Sequence, residues 1–172
     1  MIMIAQALPS ILSDIFQEVA ADTAMAITFA KGHYVEVTNY IDVIMQDVDQ
    51  SNAMAFPLAW LVMDFKEVIN PRLGVYADAS VKLILAKDTD PNWTFDERMN
   101  NNFIPVLYKI YESLCERIKK SIYFFNSNDT LLKHTKIDRP YWGKDKQANF
   151  FNHAVDAIEL DFLLSLKKKQ FC

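Results

Sequence analysis

Gly74-Val75-Tyr76-Ala77-Asp78-Ala79-Ser80-Val81-Lys82-Leu83-Ile84-Leu85 is the stretch that decides the fold. Val75, Ala77, Ala79, Val81, Leu83 and Leu85 fall on one face, and Tyr76, Asp78, Ser80 and Lys82 on the other. A period of two marks a half-buried strand. Upstream, Phe56-Pro57-Leu58-Ala59-Trp60-Leu61-Val62-Met63 is apolar at nearly every position, as in a strand covered on both faces or a buried helical turn, and Pro57 favours a strand start. Asn70-Pro71-Arg72-Leu73-Gly74 lies between the two runs, and its Pro and Gly mark a reversal. The simplest reading is a hairpin.

Downstream, Asp88-Thr89-Asp90-Pro91-Asn92 reads as a turn, and Thr94-Phe95-Asp96-Glu97 has the spacing of a capping box. Phe103, Leu107, Ile110, Tyr111, Leu114 and Ile118 then draw one apolar stripe at intervals of three and four, so a long helix lies on the sheet. Asp96 and Glu97 open it and Arg117, Lys119 and Lys120 close it, in accord with the helix dipole. Pro105 removes one helical hydrogen bond, and with Asn100, Asn101 and Asn102 just before it the helix is expected to kink or break there.

Toward the N-terminus, Ser10 to Ala21 reads as a first helix with Ile11, Leu12, Ile15, Phe16 and Val19 inward, preceded by Pro9. Met25–Ala30 and His33–Thr38 are β-prone and separated by Lys31-Gly32, which predicts a second hairpin. Asn39 to Gln50 reads as a short helix, although Val43 and Ile44 are β-branched. Toward the C-terminus, Ile122 to His153 shows no sustained period and reads as a long loop. Ala157 to Leu166 alternates again, with Ile158, Leu160, Phe162, Leu164 and Leu166 on one side, and closes the sheet. The fold class is therefore α+β, in a single domain over residues 1–172: a mainly antiparallel sheet with an N-terminal helix and one long helix packed on it.

Composition narrows the function. The 172 residues are 51% hydrophobic and 13% aromatic, enough for a substantial core, and the 3 glycines leave no phosphate-binding glycine loop. No apolar run approaches the roughly 20 residues that cross a bilayer, and Met1–Ser10 lacks a basic leader, so no membrane association and synthesis as a soluble intracellular chain are expected. Of the 18 basic and 22 acidic side chains, residues 1–100 hold 6 and 14 and residues 101–172 the other 12 and 8. An acidic whole argues against nucleic-acid affinity as the main task, whereas the uneven division is compatible with head-to-tail contacts between copies.

No catalytic, cofactor-binding or metal-binding signature is present. His33, His134 and His153 lie far apart, Asp47/Asp49 and Asp88/Asp90 match no calcium loop, and no glycine frames a serine nucleophile. Cys115 falls on the packed side of its helix, where a thiol is usually inert, and a disulfide with the last residue, Cys172, is not expected. In the long loop, aromatic and charged residues interleave as they do at protein interfaces, which makes His134, Lys136, Asp138, Arg139, Tyr141 and Trp142 the candidate interface. The other reading is a loop folded on its own core. Lys167-Lys168-Lys169 reads as a solvated end, a guard against edge aggregation, or a phosphate contact.

Several stretches together resemble a group of phage and prophage proteins from Bacteroidota: Phe56-Pro57-Leu58-Ala59-Trp60-Leu61, Asp96-Glu97-Arg98-Met99, Phe103-Ile104-Pro105-Val106-Leu107-Tyr108-Lys109-Ile110-Tyr111, Lys136-Ile137-Asp138-Arg139-Pro140-Tyr141-Trp142-Gly143 and Asp156-Ala157-Ile158-Glu159-Leu160. The order of elements is similar to that of tail-terminator and tail-completion proteins of tailed phages. The resemblance spans about Met25 to Leu166 and implies a non-enzymatic virion protein of the neck. Copies would form a ring around the DNA channel, in contact with portal, neck or tail proteins, and DNA would pass through the lumen without sequence-specific binding. In a short-tailed phage the same fold would serve as an adaptor ring. The alternative from the residues alone is a small intracellular adaptor that binds another protein through 122–153.

Overall fold

The computed structural model describes residues 4–33, 35–36, 39, 56–64, 66–72, 75–125, 132–142 and 154–167. Helix α1 (Ile4–Thr23) is followed by strands β1 (Thr28–Gly32), β2 (Leu58–Val62), β3 (Lys66–Arg72) and β4 (Val75–Asp88). A short helix α2 (Phe95–Arg98), a π-helical segment (Met99–Leu107) and helix α3 (Tyr108–Lys120) run on continuously, and strands β5 (His134–Trp142) and β6 (Val155–Lys167) complete the sheet. The strand order is β1-β2-β4-β6-β5, with β3 also against β4. The α+β class holds, with both helices on one face.

β4 and β6 form the central ladder, from Val75 opposite Lys167 to Asp88 opposite Val155. Both alternate as their sequences dictate. Ala77, Ala79, Val81, Leu83 and Leu85 of β4, with Ile158, Leu160, Phe162, Leu164 and Leu166 of β6, meet Phe103, Leu107, Ile110, Leu114 and Ile118 of the long helix and Leu8, Leu12, Phe16 and Val19 of α1. Removing this apolar area from water supplies the main driving force. The helices define the inner face of the sheet.

The hairpin anticipated around Asn70–Gly74 is present, but longer and interrupted. β4 is occupied along one edge by β6, so β2 and β3 share its other edge: Leu61 pairs with Leu83, and Lys66 with Ser80. The register shifts by two residues between them, which keeps inward and outward side chains in phase. β2 is buried at every position. Its inward residues Ala59 and Leu61 join the main core, while Leu58, Trp60 and Val62 join a second apolar cluster on the outer face with Phe56, Ile84, Ala86, Val155 and Ala157.

Four expectations are corrected. Among the described residues the hairpin expected over 25–38 is not found: β1 pairs parallel with β2, from Thr28 opposite Leu58 to Gly32 opposite Val62, and Val35–Glu36 are helical. The sheet is therefore mixed rather than mainly antiparallel, with the parallel pairing, among the described strands, at that edge. Burial beside β2 wins over a local turn, since Trp60 Nε1 donates to the Gly32 carbonyl at 3.2 Å. Helix α1 begins at Ile4 and contains Pro9, because Leu8 extends its buried stripe one turn earlier. Finally, residues 134–142 of the expected loop form β5, an edge strand paired with β6 from His134 opposite Phe162 to Arg139 opposite Ala157. The helix placed over Asn39–Gln50 lies outside the described residues except for Asn39.

The capping box holds, whereas at Pro105 the helix does not break but runs on in another form. Thr94 N–H donates to Glu97 Oε2 at 2.7 Å and Glu97 N–H to Thr94 Oγ1 at 3.3 Å, and these bonds lower the Glu97 pKa. Pro105 lacks the N–H that an α-helix would direct at Asn101, and the chain widens into the π-helical segment around it. Widening there keeps Phe103 and Leu107 both fully buried.

A polar node closes the end of the sheet. Asp156, fully buried at the start of β6, accepts from Asn102 Nδ2 at 2.8 Å and from the Tyr141 N–H at 2.9 Å, and lies 3.6 Å from the Arg98 guanidinium. Arg98 also donates to the carbonyls of Asp90 (2.8 Å) and Trp93 (2.9 Å) and to the Thr89 hydroxyl, while Asn102 donates to the Asp88 carbonyl at 2.8 Å. One carboxylate thus ties β6, the end of β4, the helix and β5. Asp156→Ala should cost roughly 3–5 kcal/mol in denaturant unfolding, the usual effect of stranding a buried partner.

Helices α1 and α3 are joined at their solvent edge, where Arg117 Nε donates to Asp22 Oδ2 at 2.7 Å and Ser113 Oγ to the same oxygen at 3.0 Å. The Arg117 bond, then that of Ser113, holds the Asp22 carboxyl down from its ordinary 3.8 to about 2. A depressed folded pKa means that this tie is intact above pH 3.8 and is lost as the pH falls toward 2. NMR titration of Asp22 should show that midpoint, and Arg117→Ala should return it toward 3.8.

Candidate functional site

The six residues read as an interface sit on β5, but the strand does not present them together. Alternation along β5 sends His134, Lys136 and Asp138 to the inner face, beside the long helix, and Thr135, Ile137 and Arg139 to the outer face. Pro140 and a register shift between Arg139 and Trp142 then re-aim the last two. Tyr141, at φ 51°, turns back toward the buried node, with the Arg98 guanidinium 4.7 Å from its ring centre. Trp142 packs against the second apolar cluster.

The inner three are held by aromatic rings. Tyr111 Oη and His134 Nε2 are 2.7 Å apart, and His134 Nδ1 lies 2.9 Å from the Leu132 carbonyl, an arrangement in which Nδ1 carries the hydrogen and Nε2 accepts from the tyrosine. The imidazole stacks on Phe162 at 5.2 Å. Tyr108 Oη donates to Asp138 Oδ2 at 3.0 Å, and Lys136 Nζ lies 4.4 Å from the Tyr108 ring centre and 2.5 Å from Asp138 Oδ1. Burial, first of all, pushes the Tyr111 hydroxyl up to about 12 and raises that of Tyr108. Both remain donors at neutral pH, so these groups fasten an edge strand to a helix.

The outer face carries a ladder of ions. Glu159 of β6 is flanked by Lys82 of β4 and Arg139 of β5, whose Nη2 donates to it at 3.0 Å, and Lys82 also lies 3.5 Å from Asp161. Burial alone would raise the Glu159 pKa, but the bonds from Lys82 and Arg139 outweigh it and lower it. Beside the ladder runs an open trough of about 630 Å3, lined by Lys66, Ser80, Lys82, Lys133, Thr135 and Asp161 among others. Ile137, Leu163 and Val68 project between these charges, 40%, 44% and 48% exposed.

Among the described residues no three His, Cys, Asp or Glu side chains group as metal ligands, and no helix is long and apolar enough to cross a membrane. Cys115 is buried, which raises its thiol pKa and keeps it protonated. Sequence reading missed Glu159, Lys82 and Asp161 as a connected ladder, although all three occupy the polar phase of the two alternating strands. No family model matches the chain, and no curated protein matches it.

The split of β5 yields a contrast. Trp142→Ala should destabilise by roughly 2–4 kcal/mol, because it opens the second apolar cluster. Arg139→Ala, at a half-exposed ion pair, should stay within about 1 kcal/mol. Chemical denaturation of the two variants checks both values.

Proposed function

We propose that the protein is a structural, non-enzymatic component of a tailed-phage neck, located in the virion, which assembles as a ring around the DNA channel as a tail terminator or head-to-tail connector. The resemblance of its sequence to phage neck proteins motivates the reading. The observation that carries it is the outer face of β4, β6 and β5, where cations, carboxylates and exposed Val68, Ile137 and Leu163 share one open surface. Such a mixture suits a wet, moderately polar protein contact, since apolar side chains supply area and charges set register and partner choice.

The net charge of −4 fits DNA that must slide, because strong phosphate binding would brake it. Other portal, neck or tail proteins would occupy the two ends of the ring. Native mass spectrometry of the purified protein, with negative-stain images of any large species, is expected to give a closed ring. A strict monomer that is also missing from purified virions would overturn the reading.

A further inference from the structure

β5 is the last strand in the sheet order, and among the described residues no strand pairs with its outer edge. The direction of its backbone groups follows from one bond. Leu163 N–H donates to the Lys133 carbonyl at 3.0 Å, so odd-numbered residues of β5 turn their amides toward β6. The even-numbered residues His134, Lys136, Asp138 and Pro140 turn theirs outward. Pro140, which has no N–H, sits where none is needed by its own sheet. The contacts of Tyr108 and Tyr111 with Asp138 and His134 tie this strand to the long helix.

We propose that a second copy of this chain pairs with this edge, β5 antiparallel to β5, about a two-fold axis through Ile137. Two constraints decide the register. Outward amides must face outward amides, which leaves only pairings of even residues with even ones. A two-fold axis at Lys136 or at Asp138 would set like charges directly opposite. The axis at Ile137 instead sets Lys136 against Asp138 of the other copy and Asp138 against its Lys136, each pair exchanging both main-chain hydrogen bonds.

The centre of the pair is also matched. Ile137 meets its own equivalent in a non-hydrogen-bonded pair, where side chains come closest, with Cα atoms about 4.5 Å apart. That covers an isoleucine left 40% exposed in the single chain. Because cross-strand neighbours share a face, the helices of both copies lie on one side of a continuous sheet and the two ion ladders on the other. The contact is isologous and closes on itself, so by itself it makes a dimer and not a ring, although Ile137 also belongs to the outer face on which the ring reading rests.

The test is cross-linking at the axis of the full-length chain. Ile137→Cys, made in a Cys172→Ser background, should form an interchain disulfide on mild oxidation, because the expected Cα separation suits one. Thr135→Cys, which faces Arg139 of the other copy, should not. In native mass spectrometry the unmodified chain should contain a dimer, which Lys136→Asp weakens by roughly tenfold or more and Lys136→Asp combined with Asp138→Lys restores. Circular dichroism checks that each variant is folded.

A monomer at micromolar concentration, or a dimer indifferent to Ile137→Lys, overturns the proposal; Ile137 is exposed and its replacement leaves the fold intact. A closed ring that survives Ile137→Lys would leave the neck reading standing and remove this one. A β5 dimer with no ring would do the reverse.

Discussion

The structure depends on keeping one buried carboxylate satisfied. Asp156 has no exposed surface, and a lone ionised carboxylate in that position would cost several kcal/mol. Its partners come from every direction: Asn102 from the π-helical segment, Tyr141 from the β5 bulge, and Arg98 from the first turn of the helix. Arg98 in turn caps three backbone carbonyls of the turn before the helix, so a loop without regular structure is fixed by side-chain bonds. The capping box at Thr94 then needs only to start the helix, because its direction is already set by this anchorage.

Sequence made the sheet core legible where one face is wet and the other dry. β4 and β6 alternate because solvent demands it, and the stripe on the long helix answers the same face. β5 was illegible for the opposite reason. It is an edge strand, half-buried or exposed throughout, so no face imposes a period of two, and Pro140 read as a loop residue is in fact the residue an outer edge tolerates. The parallel β1–β2 pairing was equally hidden, since it joins segments more than twenty residues apart and no local turn announces it.

The polar node left a trace that a reader of the sequence can use. Asp156 stands in phase with Ile158, Leu160 and Phe162, the inward series of β6, so alternation alone places a carboxylate on the core side. Arg98 and Asn102 are four apart on a helix, hence on one flank. A charged residue in an apolar phase, with a cation and an amide on one helical flank elsewhere, is the signature of a buried polar tie. Taken singly, each of the three is a residue type found mostly at surfaces, which is why the phase carries the information and the composition does not.

The outer face divides along the strands, and that division bears on what the sheet can do. Toward β2 it is apolar and buried around Trp60 and Ile84; farther along β4 and β6, in the direction of the β3 pairing, it becomes ionic and open. Glu159 stands near that boundary, 13% exposed and held by cations from both neighbouring strands, so its charge is neutralised before any partner arrives. A partner approaching the open part therefore meets a surface whose strongest charges are already matched, and affinity must come from apolar area and from unpaired backbone rather than from net attraction. Among the described strands, β5 offers both together: outward amides at Lys136 and Asp138, and Ile137 between them. An unpaired edge is a hazard unless something specific occupies it, and the alternation of opposite charges about one apolar residue is the kind of pattern that admits one register and rejects its neighbours.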